Sequence, residues 1–342
     1  MKHSKTTYLA AAALALLTLA ACSGADDSPQ DAQRHEIRFT SSLAAPADAQ
    51  TRAYGNFDSY AMAQKFFVWA DMYDAMENVT TSYFNAWELT VSSVTSSFST
   101  TSTKMFPAYN SLSFYTLHGN FSEDISEANE TAWPSLLTHT VKTTQVTDAD
   151  FQVSDLVYAI NRNVTPTPAP VNLQFRHLLS QVEVALIAGN GLTADELISE
   201  SGNTKATVTL LGVKTRVQLR PDKTAQLDDL DDDTRRYTYR ETMLSNADEV
   251  DDITLQTVPT DDISKPLCGA AVVVPQQVNG KFICINYLGY NTYVKVSNLS
   301  LKSGYRYRFN VTVDRIGGEY SLTPVSVAEW TDEPTAREAE LQ

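Results

Sequence analysis

The sequence has few residues of the kinds that metal sites and most catalytic sites require. Its 342 residues include only three cysteines and five histidines, with no Cys-x-x-Cys or His-x-x-x-His pair for zinc. No Gly-x-Ser-x-Gly, P-loop or Gly-x-Gly-x-x-Gly string occurs either. His177 lies in an apolar run, which favours a hydrogen-bonded core histidine over a ligand. The sequence therefore predicts a chain that is not an enzyme and needs no cofactor or metal.

Positive charge is also scarce. The chain has 26 lysines and arginines against 41 aspartates and glutamates, a net charge of −15. Such a protein is repelled by nucleic acid and by anionic lipid surfaces, so nucleic acid is excluded as a partner. The acidic run Asp228–Asp233 offers carboxylates for calcium, but it lacks the glycine and the distal glutamate of an EF-hand. A solvated loop is the simpler interpretation of this run.

Long apolar runs are missing except at the start. Tyr8–Ala21 follows two lysines and is too short to remain as a membrane-spanning helix, which is the layout of a signal peptide. It ends in Leu-Ala-Ala-Cys22, which fits the bacterial lipobox. The sequence predicts a signal peptide at 1–21, a lipid on Cys22 and an acidic tether at 22–34; the alternative is an ordinary secretory signal with a chance cysteine. Several acyl chains on one cysteine would anchor the chain stably.

Helical patterns are nearly absent, which excludes a fold built from βαβ units. One short helix is predicted at Thr193–Ile198, where Thr193 and Glu196 form a capping box. The rest alternates apolar and polar residues in short runs typical of strands, which predicts an all-β chain of antiparallel β-sandwiches. Examples are Leu112–Thr116, Val182–Ile187, Val213–Leu219, Lys281–Tyr287 and Tyr305–Val313.

A proline-rich segment divides the pattern. Asn161–Pro170 contains three prolines, which block both helix and central strand and leave an extended connector. We therefore predict two domains, an N-terminal one over 35–165 and a C-terminal one over 166–342. The first is rich in aromatic residues between Tyr60 and Trp87; they could stack on sugars, but filling the core of a sandwich is the favoured interpretation.

Two cysteines remain after the lipobox. Cys268 and Cys284 lie on either side of Asn279-Gly280, a dipeptide typical of a two-residue hairpin turn. In that register Cys284 faces Pro275, so a disulfide would have to form across another strand. Two buried thiols are the simpler interpretation, and the disulfide is left open.

Several short strings follow the lipobox in series. They are Lys104–Pro107, Leu112–Tyr115, Asp155–Ala159, Val171–Val184, Val272–Gln276, Leu301–Tyr307 and Val325–Trp330. In this order they resemble the fimbrillin family of Bacteroidales, whose members build type V pili, and the resemblance covers nearly the whole chain after the lipobox. It implies two tandem transthyretin-like β-sandwich domains in a lipoprotein precursor carried to the outer membrane surface, with the mature form in the fimbrium.

The resemblance also implies how such a chain is processed. Fimbrillins that polymerise lose their first strand by proteolysis, and a strand from another subunit fills the groove. Residues 35–41, with Ile37 and Phe39 at alternate positions, fit the removable strand, and residues 42–53 fit the processing loop. Cleavage after Arg52 would leave Ala53 as the mature start. The implied partners are other fimbrillin subunits, the outer membrane through lipid on Cys22, and a host protein or glycan.

The end of the chain departs from a stalk subunit. After Trp330 the tail is charged and contains Pro334, so it offers few apolar side chains to a groove. A donor strand would have to come from Tyr320–Trp330 instead. This favours a tip or accessory subunit with a role in cell adhesion. A membrane-retained anchor subunit and a glycan-binding lipoprotein for nutrient uptake are the alternatives.

Overall fold

Strands make up most of the computed structural model, which describes residues 34–43, 64–74, 79–91, 97–197, 205–225, 242–255, 267–316, 319–328 and 336–337. One α-helix, α1, spans Asp148–Ser154. The first nine strands are β1 Phe39–Leu43, β2 Lys65–Asp74, β3 Val79–Val91, β4 Phe98–Thr100, β5 Ser111–His118, β6 Leu137–Thr140, β7 Thr144–Gln145, β8 Val157–Val164 and β9 Val171–His177. The others are β10 Ser180–Ala188, β11 Ala206–Leu219, β12 Leu244–Leu255, β13 Leu267–Val273, β14 Gln276–Tyr287, β15 Tyr290–Leu301, β16 Arg306–Ile316, β17 Glu319–Ala328 and β18 Ala336–Arg337.

One seven-stranded sheet carries most of the N-terminal strands, in the order β1-β9-β8-β5-β2-β3-β4. A bridge between Thr40 and Ser97 links the two ends of this order, so the sheet closes on itself around its apolar face. Along its strands, residues on the apolar face alternate with exposed residues on the other face, as a half-buried strand requires. Its core is largely aromatic and includes Phe39, Phe66, Phe84, Trp87, Phe106, Phe114 and Phe175.

Two further sheets form the rest of the fold. A five-stranded sheet has the order β13-β10-β16-β17-β18, and a six-stranded sheet has the order β15-β14-β11-β12-β7, with β6 also paired to β11. Val184 from the first of these and Ile285 from the second belong to one buried cluster. The two sheets therefore pack as a sandwich, and the prediction of an all-β sandwich fold is confirmed.

The sheets do not separate at the predicted domain boundary. Strand β9 follows the proline-rich connector, yet it pairs with β1 and β8 of the seven-stranded sheet. Strands β6 and β7 precede the connector, yet they pair with β11 and β12. The first four residues of the predicted connector, 161–164, belong to β8. Only residues 165–170 lie between strands, and they join two strands of the same sheet, β8 and β9. The division into domains 35–165 and 166–342 stays a prediction.

The prediction of a hairpin turn at Asn279-Gly280 is wrong. Strand β14 runs through this dipeptide, and its register against β15 shifts between Val278 and Gly280. Gly280 has φ +82° and forms a β-bulge there. The chain reverses instead at Leu288-Gly289, where both residues have positive φ, as a two-residue hairpin loop requires.

The register of β14 places no cysteine opposite Cys284, whose thiol is free. Cys284 lies opposite Tyr293 on β15 and Thr209 on β11, and it is unpaired and half-buried. Burial raises the pKa of the thiol. Cys284 lies in a strand, as the interpretation of two buried strand thiols requires, but it is only half-buried. The side chain of Cys268 lies outside the described part.

Both helical turns begin with a side-chain cap. Residues Ala194–Leu197 form the predicted helix as a single 3-10 turn, and the Glu196 carboxylate accepts from the backbone N–H of Thr193 at 2.8 Å. Helix α1 was not predicted; Thr147 caps it, its Oγ1 accepting from the N–H of Asp150 at 3.1 Å. The Thr-x-x-Asp spacing is the signal that could have located it. Neither described helix is long and apolar enough to cross a membrane.

A short segment joins the six-stranded sheet to the seven-stranded sheet. Residues 221–225, which follow β11, present their backbone carbonyls to three side chains from before β9. Trp133, Tyr158 and Arg162 donate to these carbonyls over distances between 2.7 and 3.2 Å. We call residues 221–225 the clasped segment. Its backbone is fixed by Tyr158 and Arg162 of β8 and by Trp133 from the segment between β5 and β6.

Lys223 adds an ion pair to the clasped segment. Its Nζ lies 2.6 Å from the Asp71 carboxylate, and both side chains are largely buried. The same ammonium lies 4.9 Å from the ring centroid of Tyr115 and 5.2 Å from that of Trp133. Because the face of an aromatic ring attracts a desolvated cation, both the Asp71 carboxylate and the two rings stabilise the ammonium.

Replacing Lys223 by methionine should lower the free energy of unfolding by about 2 kcal/mol, because the Asp71 carboxylate then stays largely buried without its partner. Urea unfolding followed by tryptophan fluorescence measures the loss. The double variant Lys223→Met/Asp71→Asn should lose clearly less than the sum of the two single variants. Additive losses would show that the pair contributes no coupling.

Candidate functional site: the groove under the first strand

The first strand is held by backbone contacts on both of its sides. Strand β1 pairs in parallel with β9, with Phe39 opposite Val171 and Leu43 opposite Phe175. Just before it, the N–H of Ile37 donates to the carbonyl of Lys104 at 2.9 Å. Further hydrogen bonds run from the Val171 N–H to the Arg38 carbonyl and from the Phe106 N–H to the His35 carbonyl, each 2.8 Å.

The side chains of this strand alternate as predicted. Ile37 is 2% exposed and Phe39 is 3% exposed. Glu36, which precedes Ile37, and Arg38, which lies between the two, face solvent. The prediction that Ile37 and Phe39 form the apolar face of the first strand is consistent with these exposures. Arg38 also donates a hydrogen bond to the carbonyl of Pro168 in the connector before β9.

Phe39 fills an aromatic pocket. Its ring centroid lies 5.6 Å from that of Trp87 and 5.2 Å from that of Phe114, the second in an edge-to-face arrangement. Such pairs contribute about 0.5–1.5 kcal/mol each beyond the burial of their area. The Trp87 indole Nε1–H is buried without a hydrogen-bond partner in the described part of the chain. The pocket therefore holds an apolar side chain, and one polar atom in its wall has no partner.

Withdrawal of residues 35–41 would open a groove. One wall would be the backbone edge of β9, and the other would be residues 97–106, which contain the bridge partner of Thr40. The floor would be the aromatic core around Trp87. Freed backbone groups on two sides and apolar pockets between them are what an incoming strand requires.

The predicted processing residues fall outside the described part of the chain. Cys22, Arg52 and Ala53 are not among the described residues, so their roles stay predictions. Arg34 is described and exposed directly before the first strand, and a cut after it would leave that strand in place.

The C-terminal segment considered as a donor is paired within its own sheet. Strand β17 runs antiparallel to β16 from Glu319 opposite Ile316 to Ala328 opposite Arg308. The two-residue strand β18 pairs in turn with β17. Using Glu319–Ala328 as a donor would therefore require breaking the β16–β17 pairing.

Four histidines are among the described residues; His35 precedes β1, and the other three have different hydrogen-bond or ion-pair partners. His118 contacts the carbonyls of Lys65 and Gln152, and His177 lies 2.8 Å from the carboxylate of Asp155. No cluster of three metal-binding side chains occurs among the described residues. The acidic run Asp228–Asp233 lies outside them.

His139 is buried with a fixed tautomer. Its Nδ1 accepts from the backbone N–H of Asn120 at 3.0 Å, so its Nε2–H donates to the carbonyl of Ser154 at 2.9 Å. Gly119 leaves room for this arrangement, since a Cβ at that position would lie 2.9 Å from Nδ1. Burial lowers the pKa of His139 from 6.5 to about 4. The ring is therefore neutral at physiological pH.

The architecture defines the class of protein: an all-β sandwich whose first strand, β1, stands at the end of its sheet and pairs with β9. The fimbrillin-like family model matches residues 51–330, and the chain belongs to this family. The resemblance noted in the sequence is confirmed. The chain is not an enzyme, because fimbrillins are structural and adhesive proteins.

Solved structures share the fold at low sequence identity. A protein of Bacteroides ovatus, provisionally described as a cell adhesion protein, is 14% identical with a TM-score of 0.57, over 87% of this chain and 98% of that chain. A protein of Bacteroides uniformis with the same description is 16% identical with a TM-score of 0.50, over 87% of this chain and 99% of that chain. None of the curated proteins matches the sequence. At these identities the likeness shows the fold alone.

Proposed function

We propose that this chain is a pilus subunit, made as a lipid-anchored precursor and assembled by replacement of its first strand with a strand of another subunit. The single observation that carries the proposal is the seating of residues 35–41. Ile37 and Phe39 fill core pockets while the backbone is paired on both sides at a sheet edge. Membership of the fimbrillin-like family supports a place in a fimbrium and a role in cell adhesion.

Processing would start at Cys22 and end at Arg52. Lipid on Cys22 would hold the precursor at the outer membrane until a protease cuts after Arg52. Ser42 and Leu43, the first two residues of the predicted loop 42–53, belong to β1. The remaining segment 44–53 is rich in small residues, which would let a protease extend the chain. Ala53 would then be the mature N-terminus, and the lipid and first strand would leave together.

A tip or accessory position fits the end of the chain better than a position in the stalk. The residues after Trp330 are charged and would fill few groove pockets. Residues 319–328 are engaged with β16. A subunit that accepts a strand but donates poorly would end a filament and would not repeat along it.

Replacing Arg52 by alanine should leave an intact, lipidated monomer that does not enter polymers. Arg34→Ala is the matched control, because it also removes an arginine near the first strand but should leave processing and assembly unchanged. Intact mass and N-terminal sequencing of protein from the native cell surface locate the mature start, and gels of unboiled samples detect polymers.

The outcomes separate the candidate functions. A wild-type start at Ala53 with polymers supports strand replacement. A wild-type start at acylated Cys22 would instead identify an anchor subunit or a monomeric surface lipoprotein. Polymers of normal length from the Arg52→Ala variant would overturn the proposed mechanism.

A further inference from the structure

A polar cleft lies beside β3 of the first sheet, at the border of the aromatic core, because Phe84 of that core lines it. It is formed by β3 and two loops, residues 101–105 and 126–130. Two adjoining cavities make it up, with volumes of about 460 and about 550 Å³, within the range of ligand sites. Four residues line both cavities, Phe84, Asn85, Lys104 and Glu130. We call this the Asn85 cleft.

A β-bulge places Asn85 in the cleft. On β3, Trp87 lies opposite Val68 and Phe84 lies opposite Ala70, so Asn85 and Ala86 share one position of the partner strand. Ala86 has φ +45°, a left-handed conformation that is costly for a residue with a Cβ. Bulges of this kind redirect a side chain away from the regular alternation.

The far wall of the cleft is held rigidly by Glu127. Its carboxylate accepts from the hydroxyls of Ser102 at 2.5 Å and Thr101 at 3.2 Å and from the backbone N–H of Glu88 at 3.2 Å. Lys104 Nζ lies 3.6 Å from the same carboxylate. The two loops and β3 are therefore tied to one group, and the cleft keeps its shape without a ligand. A preformed site loses less entropy on binding.

The exposed groups of the cleft are mixed in chemistry. Tyr83 is 36% exposed and its ring borders the second cavity, while its hydroxyl donates to the carbonyl of Met105 at 2.8 Å. The Asn85 Oδ1 accepts from the Ser82 hydroxyl at 3.0 Å, and its Nδ2 offers two N–H donors. The Glu130 carboxylate makes no side-chain hydrogen bond or ion pair with the described residues and is exposed. Apolar ring faces beside neutral donors and carboxylate acceptors suit a molecule with alternating C–H faces and hydroxyl groups.

Charge narrows the ligand class further. Three glutamates, at 88, 127 and 130, line the first cavity. Glu88 is paired with Lys65 at 3.1 Å and Glu127 with Lys104 at 3.6 Å, so the excess negative charge of the cleft comes from Glu130. A sialylated or sulfated glycan would meet repulsion there. We propose that the Asn85 cleft binds an uncharged oligosaccharide, with Tyr83 as the stacking surface and Asn85 and Glu130 as hydrogen-bonding groups. This activity goes beyond assembly into a pilus and does not depend on removal of the first strand.

The test uses the full chain with Cys22→Ser, which leaves it unlipidated. The protein is applied to an array of neutral oligosaccharides, sialylated and sulfated oligosaccharides, and a lysine- and arginine-rich peptide, and the best neutral binder is titrated by calorimetry. Binding should be restricted to neutral oligosaccharides. Tyr83→Ala and Asn85→Ala should each weaken it by about tenfold or more.

Two matched controls isolate the role of the ring. Tyr109→Ala removes a 79% exposed tyrosine outside the cleft and should bind like the wild type. Tyr83→Phe keeps the ring but removes the hydrogen bond to Met105, and it should retain most of the affinity. Urea midpoints check that each variant folds; if Tyr83→Ala does not, Asn85→Ala and Glu130→Gln carry the test. Absence of any neutral binder, a preference for acidic glycans or for the basic peptide, or affinity unchanged in the cleft variants would overturn the proposal.

Discussion

Replacing Phe39 by alanine should lower the free energy of unfolding by about 3–5 kcal/mol, the range for large-to-small changes of buried aromatic residues. The ring is 3% exposed and loses its contacts with Trp87 and Phe114. The pocket it leaves is bounded by the backbones of β9 and residues 97–106, which limits collapse. Urea unfolding of the uncut protein measures the loss.

Glu36→Ala is the matched control for this variant, because Glu36 lies three residues before Phe39 and its side chain is exposed. Its loss should change the free energy of unfolding by less than about 0.5 kcal/mol. Phe39→Leu should fall between the two, which keeps the test useful if the alanine variant does not fold. A loss below about 1 kcal/mol for Phe39→Ala would show that the first strand contributes little to the uncut fold. The groove proposal would then lose its energetic basis.

Lowering the pH from 7 to 4 should destabilise the protein through His139, with a contribution of about 3 kcal/mol in total. The pKa of His139 is lowered by burial to about 4, whereas the unfolded chain titrates near 6.5. Between these values the unfolded state binds more protons. The contribution of neutral His139 to the free energy of unfolding is therefore fully present above pH 6.5 and is lost as the pH falls towards 4.

His139→Gln isolates this contribution, because an amide can accept from the Asn120 N–H and donate to the Ser154 carbonyl without titrating. Urea unfolding at several pH values should show a shallower loss for this variant than for the wild type. Parallel curves for the two proteins would assign the acid sensitivity to other groups.

The face of the first strand could be predicted from local sequence, but its partner could not. Alternation at Ile37 and Phe39 identifies two buried side chains because a strand presents every second residue to one side. The pairing of β1 with β9 joins residues more than a hundred positions apart, across the connector that marked the predicted boundary. Prolines indicate where the chain is extended, but they do not indicate which sheet the next strand joins.

The hairpin predicted at Asn279-Gly280 was wrong for a related reason, because local sequence does not show how far two strands pair. The dipeptide suits a tight turn, but β14 gains a longer pairing with β15 by running through it with a bulge. Leu288-Gly289 forms the actual turn, although leucine is an unusual residue for positive φ. The Asn85 cleft was missed because its bulge in β3 leaves no local signal in an aromatic-rich strand.

The clasped segment has a mechanical consequence. Flow over a cell pulls on surface filaments, and in a filament a subunit would transmit that load between its neighbours. A force that pulls the clasped segment away from the seven-stranded sheet must break the bonds from Tyr158 and Arg162 together with the Lys223–Asp71 pair. Because all of them hold the same five residues, they share the load and do not fail one after another. Rupture of a loaded subunit should therefore begin elsewhere.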